Sequence, residues 1–128
     1  MKRVVIESPF AGTDNEVRRN IKYARACVTD SLRRGEAPYA SHLFFPQPGI
    51  LDDKSSDDRM RGINAGLEIT KDFDLTAVYC DFGITKGMAY GIGRAKIVGR
   101  TIEERSLGEN WEINYEKRIG NHSHNGFF

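Results

Sequence analysis

Short apolar runs alternate along this chain with longer stretches in which apolar residues recur every three or four positions. The first kind reads as buried strand and the second as amphipathic helix. KRVVIE (2–7) predicts a strand, and the SPFAGTDN that follows is rich in turn formers. Thr13 and Glu16 fit a capping box. Val17, Ile21, Ala24, Val28 and Leu32 then share one face of a helix that runs to Arg34, and Gly35 stands where a left-handed cap is usual. APYASHLFF (37–45) predicts a second strand, and PQPGILDDKSSDD a polar loop. A second helix over 56–70 turns Met60, Ile63 and Leu67 inward. DLTAVYC (74–80) predicts a third strand, and DFGITK a loop whose Thr85 caps a third helix over 86–98. RTIEERSL (100–107) predicts a fourth strand. The rest is ambiguous, a short fifth strand over 111–115 being one option.

Strands alternating with helices imply an α/β fold: a parallel sheet joined by right-handed crossovers and covered on both faces. The expected architecture is a flavodoxin/Rossmann-like three-layer sandwich with strand order 2-1-3-4. One domain covers 1–109, and the tail 110–128 docks on it or on a partner subunit. Ligands in such sheets sit at the carboxyl ends of the strands. That rule picks out Glu7 to Thr13, Phe45 to Asp53, and Asp81 to Gly87.

Composition narrows the function classes. The chain has 128 residues and a formal net charge of +1, so no global charge argues for nucleic acid. No apolar run approaches the roughly 20 residues of a membrane span. The first apolar run stops after Ile6, too short for a signal peptide. Cys27 and Cys80 fit no metal spacing, and a cytoplasmic protein with reduced thiols is the expectation. His122 and His124, spaced as HSH, lack an evident third ligand. No metal or cofactor is expected.

GMAYGIGRA (87–95) carries three glycines at the start of a helix, where each costs roughly 1 kcal/mol relative to alanine. A dinucleotide fingerprint fits poorly: Lys96 stands at its third glycine, and the stretch lies inside a helix. A phosphate P-loop fits worse, since no glycine precedes a Lys-Ser/Thr pair. Packing is the plain reading, because Gly87, Gly91 and Ala95 form a small-residue stripe. An anion at the free amides of the helix start is compatible with it.

These motifs resemble the nucleoside 2-deoxyribosyltransferase superfamily, which includes the deoxynucleoside 5′-phosphate N-hydrolases. Members open with a strand running into a Gly-Pro-Phe/Tyr turn, here Ser8-Pro9-Phe10. They carry an Asp opening the third strand, here Asp74, and then a helix of the form Gly-x-x-Tyr/Trp-Glu-Ile/Leu-Gly-x-Ala, here Gly87 to Ala95. The resemblance covers residues 2–107 in element order, and the overall pattern also looks like small bacteriophage proteins. In the catalytic families the Glu of that helix is the nucleophile that displaces the base. Gly91 occupies its place, and a glycine supplies neither nucleophile nor base. A second acid expected on the second helix falls near Asn64.

Two carboxylates stand at strand ends as replacements. Glu7 can act as base or nucleophile, or only bind a ribose. Asp81 can face the ligand or cap its own loop. Ser8, Pro9, Phe10, Asn64, Met88 and Gly91 are the nucleotide-binding candidates, together with Thr85, Lys86 and Gly87. Those last three match the position that binds the 5′-phosphate in the N-hydrolase branch, against ordinary N-capping. Phe10 and Phe45 can stack on a base or simply be buried. His42, interior to the predicted second strand, reads as a core histidine. Asp52, Asp53, Asp57 and Asp58 read as a solvated loop, and Glu68 as exposed.

The resemblance implies an enzyme acting on an N-glycosidic bond of a nucleoside or nucleotide with a rearranged carboxylate set. The alternative is a protein that sequesters a nucleotide without cleaving it, as a phage would use against host nucleotide signalling. A third reading is a scaffold module. Family members are homodimers whose C-terminal residues complete the partner's site, so a homodimer or higher homo-oligomer is implied. The apolar Phe127 and Phe128 also call for burial.

Overall fold

The computed structural model describes residues 1–122. Its strands are β1 (Arg3–Glu7), β2 (Ala37–Tyr39), β3 (Leu75–Tyr79) and β4 (Thr101–Arg105). Its helices are α1 (Asp14–Arg33), α2 (Ser56–Thr70), α3 (Lys86–Ile97) and α4 (Trp111–Gly120). Every strand pair is parallel and the order is β2-β1-β3-β4. This is the α/β architecture that the alternating pattern predicts. No helix among the described residues is long and apolar enough to cross a membrane.

Alternation along the strands divides the sheet into two unlike faces. Val4 and Ile6 of β1 and Leu75, Ala77 and Tyr79 of β3 join Tyr23, Ala26 and Cys27 of α1 and Trp111 and Tyr115 of α4 in one core. The opposite face carries Val5 and Glu7 beside their register partners Thr76 and Val78. The capping box at α1 forms as the spacing predicts, with Thr13 Oγ1 accepting from Glu16 N–H and Glu16 Oε1 accepting from Thr13 N–H. Gly35 ends that helix at φ 79°. At the amino end of the sheet, Asp74 Oδ2 accepts from Arg3 N–H at 2.8 Å and fixes how β3 begins beside β1.

Two predicted elements are corrected. The second strand stops at Tyr39, and Ser41–Leu43 form a 3-10 turn. There Phe44 and Phe45 N–H both donate to Ser41 O at 3.0 Å, so these amides bond locally and leave the sheet ladder. His42 is therefore on a turn and not inside a strand. The option of a fifth strand over 111–115 also fails, because the segment is helical. Trp111 and Tyr115 lie four residues apart, on one helical face, and both are buried in the core. His124, Phe127 and Phe128 lie outside the described residues.

The α1 side also carries a buried ion pair. Arg105 at the end of β4 donates to both carboxylate oxygens of Glu36, at 2.8 and 2.7 Å, and its side chain is 2% exposed. Arg105 also donates to Tyr79 Oη, which in turn donates to Asp30 at 2.8 Å. The Arg105 bonds hold the Glu36 carboxyl below its ordinary range. That stability is present above the ordinary carboxylate range and is lost as pH falls through the lowered value. Replacing Glu36→Gln strands the Arg105 charge, and such a loss costs about 3–5 kcal/mol. Thermal melts near neutral pH should show Tm lowered by roughly 10 °C or more. A change of only a degree or two would show that the pair carries little of the fold.

Candidate functional site

A cleft of about 570 Å³ opens on the second face, between α2 and α3 and over the carboxyl half of β1. The β1 end contributes Glu7, Ser8 and Phe10, and the start of α3 contributes Thr85, Lys86, Gly87 and Met88, with Gly91 one turn on. Ile63, Gly66, Leu67 and Thr70 of α2 form the far wall, with Tyr39 and His42 between. Asp53 and Arg59 stand at the mouth and pair at 3.8 Å. A wider depression of about 700 Å³ adjoins it beside the start of α1 and shares Phe10, Asp53 and Arg59.

Most of the predicted site residues meet here. Three do not line the cleft. Pro9 is fully buried behind the turn. Asn64 is exposed on α2. Asp81 lies outside the cleft, and its carboxylate is engaged by the β4–α4 connection. It accepts from Tyr23 Oη, from Ser106 Oγ at 2.7 Å, and from the N–H groups of Leu107 and Gly108 at 2.9 and 3.0 Å. Burial pushes its acid strength one way, but these bonds outweigh it and hold the carboxyl below its ordinary range. That is the behaviour of the loop-capping reading, and it leaves no oxygen free for chemistry in the cleft.

Glu7 is different. Its carboxyl has no hydrogen-bond partner among the described residues and lies against the bare Cα of Gly91. A methyl group at 91 would lie 2.8 Å from Glu7 Oε1, and closer still to Cδ and Oε2. The side chain absent from α3 and the side chain present on β1 thus compete for one volume. Burial pushes the Glu7 carboxyl up to about 8, against the pull of the Arg100 cation. Arg100 is occupied elsewhere, donating to Thr70 O at 2.7 Å, Phe73 O and Thr76 Oγ1.

The start of α3 is an open helix terminus. Thr85 Oγ1 accepts from Met88 N–H at 3.3 Å, so its hydroxyl is engaged in capping. The N–H groups of Lys86 and Gly87 precede the first intrahelical bond and remain available, beside the exposed Lys86 ammonium. The small-residue stripe is only half explained by packing: Ala95 is buried and Gly91 meets Glu7, but a Cβ at Gly87 would meet nothing within 4 Å.

His42 is the residue that sequence reasoning passed over. Its Nε2 lies 2.7 Å from Ser8 Oγ, and Phe10 stands edge-on to it at 6.4 Å. Burial pushes the imidazole down to about 4, so it is uncharged at neutral pH. The signal available was APYASHLFFP itself, whose last six residues show no period-2 alternation and end in a proline. Among the described residues, no group of three or more His, Cys, Asp or Glu is placed to hold a metal ion.

Comparison with known proteins supports the fold. A family model described as "Domain of unknown function (DUF7768)" matches residues 2–105. The structure is similar to that of a 2-deoxyribosyltransferase from the psychrotolerant bacterium Bacillus psychrosaccharolyticus, with TM-score 0.58 and 20% sequence identity. The match covers 84% of this chain and 74% of that one. No curated protein matches the sequence. The likeness shows a deoxyribosyltransferase-like, Rossmann-like fold.

The raised Glu7 pKa has a consequence for stability. Between the ordinary carboxylate range and about 8, the folded protein keeps a proton that the unfolded chain has lost. Stability should therefore fall as pH rises through that window and level off above it. Denaturant melts should show this slope in the native protein and a flatter profile in Glu7→Gln. Equal slopes would mean that Glu7 ionises normally. Gly91→Ala should fold, since the flexible end of Glu7 can yield, but it should bring the Glu7 titration back toward the ordinary range in carboxyl-carbon NMR.

Proposed function

The chain belongs to the DUF7768 family, and we propose that it recognises a nucleoside or nucleotide in the α2–α3 cleft and acts on its N-glycosidic bond. In this reading Glu7 supplies the carboxyl that the catalytic relatives place on the helix at the position of Gly91. The observation that carries the reading is that Glu7 fills the volume a side chain at 91 would need. The carboxyl is thus displaced from one wall of the cleft to the other and not lost. The Lys86 and Gly87 amides and the Lys86 ammonium suit a phosphate. Gly87 and Gly91 are four residues apart, about 6 Å along the axis, so a sugar fits between an anion at the helix start and Glu7. Phe10 offers an aromatic edge or face at the mouth.

A second reading is a protein that holds the nucleotide intact. The protonated state of Glu7 at neutral pH favours it, because a neutral carboxyl is not a nucleophile. It also argues against transfer through a covalent glycosyl-enzyme under either reading.

Mass spectrometry of small molecules released from the denatured protein, with chromatography of nucleotides incubated with it, separates the two. Released free base is the expected result for catalysis, and intact nucleotide for sequestration. Recovery of neither, with no affinity for any nucleoside or nucleotide by calorimetry, would refute both. Lys86→Glu should weaken binding of a nucleoside 5′-phosphate by roughly ten- to a hundredfold, the range of one charged hydrogen-bonding partner. Unchanged affinity would remove the phosphate from the start of α3.

A further inference from the structure

We infer that Glu7 and His42 are the acid and the base of a direct hydrolysis, Glu7 giving its proton to the departing nucleobase and His42, oriented by Ser8, taking one from the attacking water. The inference rests on the N-glycosidic reading above and assigns its chemistry. Its first support is placement. Glu7 and His42 line the same cleft, yet come from β1 and from the turn after β2. Ser8 follows Glu7 directly and reaches across 34 residues of chain to His42 Nε2 at 2.7 Å. The Glu7 carboxyl and the second ring nitrogen of His42 have no hydrogen-bond partner among the described residues. Both residues line the cleft that a ligand would occupy.

The second support is the order of protonation. Burial acts in opposite directions on an acid and a base. It pushes Glu7 up to about 8 and His42 down to about 4, so at neutral pH the carboxyl carries the proton and the imidazole carries the lone pair. Two groups driven apart in this way mark the proton donor and acceptor of a site. The charged and titratable groups around them leave this order in place. Arg100, just before β4 and bonded to Thr70 and Thr76, pulls Glu7 down but is outweighed by burial. Lys86 and Tyr90 of α3 and the Asp53–Arg59 pair stand at the exposed rim, and Tyr39 lies between the two walls.

Ser8 is a positioning residue. For Nδ1 to accept a proton, Nε2 must carry hydrogen and donate it to Ser8 Oγ. The same bond then stabilises the imidazolium that forms. The reaction balances without a further reagent. The C1′–N bond breaks, and its electron pair goes to the base nitrogen, which takes the proton of Glu7. Water oxygen forms the new bond to C1′, and the proton it sheds goes to His42. Free base and the sugar, still carrying any 5′-phosphate, leave. The Glu7 carboxylate and the His42 imidazolium return to the starting state when one proton passes between them through solvent.

The test uses the full chain, a panel of ribo- and deoxyribonucleoside 5′-monophosphates, calorimetry for binding and chromatography for base release. The expected rate profile is a bell with limbs near 4 and 8. Glu7→Gln and His42→Gln should each lower kcat by about a hundred- to ten-thousandfold, the usual contribution of a general acid or base. Both should change Kd far less. Ser8→Ala should lower kcat and move the acidic limb, and Ser8→Thr should restore both. Full activity in His42→Gln, or a glycosyl adduct on the intact protein by mass spectrometry, would overturn the pair. Tight binding without base release by the native protein would also overturn it, while leaving the sequestering reading standing. No binding at all would sink the nucleotide reading itself.

Discussion

The cleft depends on one steric exclusion: the Glu7 carboxyl, where it now lies, and a side chain at position 91 cannot share one volume. Everything distinctive about the site follows from which of them is present. With glycine at 91, α3 lies close over the end of β1, and the Glu7 side chain turns into the gap. There it finds no hydrogen-bond donor among the described residues, and the pull of the Arg100 charge is outweighed by burial. A carboxyl so placed stays protonated because ionising it would require desolvating a charge without compensation. The glycine costs the helix roughly 1 kcal/mol in propensity.

The two faces of the sheet divide stability from function. On the α1–α4 face, apolar burial is continuous and polar groups are satisfied, as in the Arg105–Glu36–Tyr79–Asp30 chain and the four-donor clasp on Asp81. On the α2–α3 face, α2 stands across an open space that Glu7 and His42 line. A rigid face supporting an incomplete one is how a scaffold holds reactive groups within narrow tolerances. Asp81 shows how a strand-end carboxylate can look functional and belong wholly to the supporting half.

The layered fold was legible in the sequence because its signals are local. Thr13 with Glu16, Gly35 at the end of α1, and the buried run at 75–79 each describe their own neighbourhood. What sequence could not convey depends on distant partners. The 41–45 segment is as apolar as a strand, but its amides close on Ser41 and Ala40. The tail reads as strand or helix until Trp111 and Tyr115 find Tyr23 and the core. The cleft was partly legible by the same measure: the ends of β1 and α3 were identifiable, and the glycine at 91 stood out within its helix. That Glu7 fills that gap, and that Ser8 reaches His42, are relations across 84 and 34 residues, which no local pattern encodes.

The distribution of charge gives the last constraint on the ligand. At neutral pH the inner cleft is uncharged, since Glu7 is protonated, His42 is neutral, and Ser8, Thr70 and Tyr39 are hydroxyls. Formal charge is confined to the rim, in Lys86 and the paired Asp53 and Arg59. An anionic group buried deep would meet a carboxyl in a poorly solvated site, whereas at the rim it meets an ammonium and free amides. Under the proposed reading, the arrangement suits a molecule that is anionic at one end and hydroxyl-rich further in, inserted with its charge outward. A sugar bearing a terminal phosphate has that polarity. In that reading, a phosphate at the start of α3 would leave the ring beside Gly91, against which the Glu7 carboxyl lies.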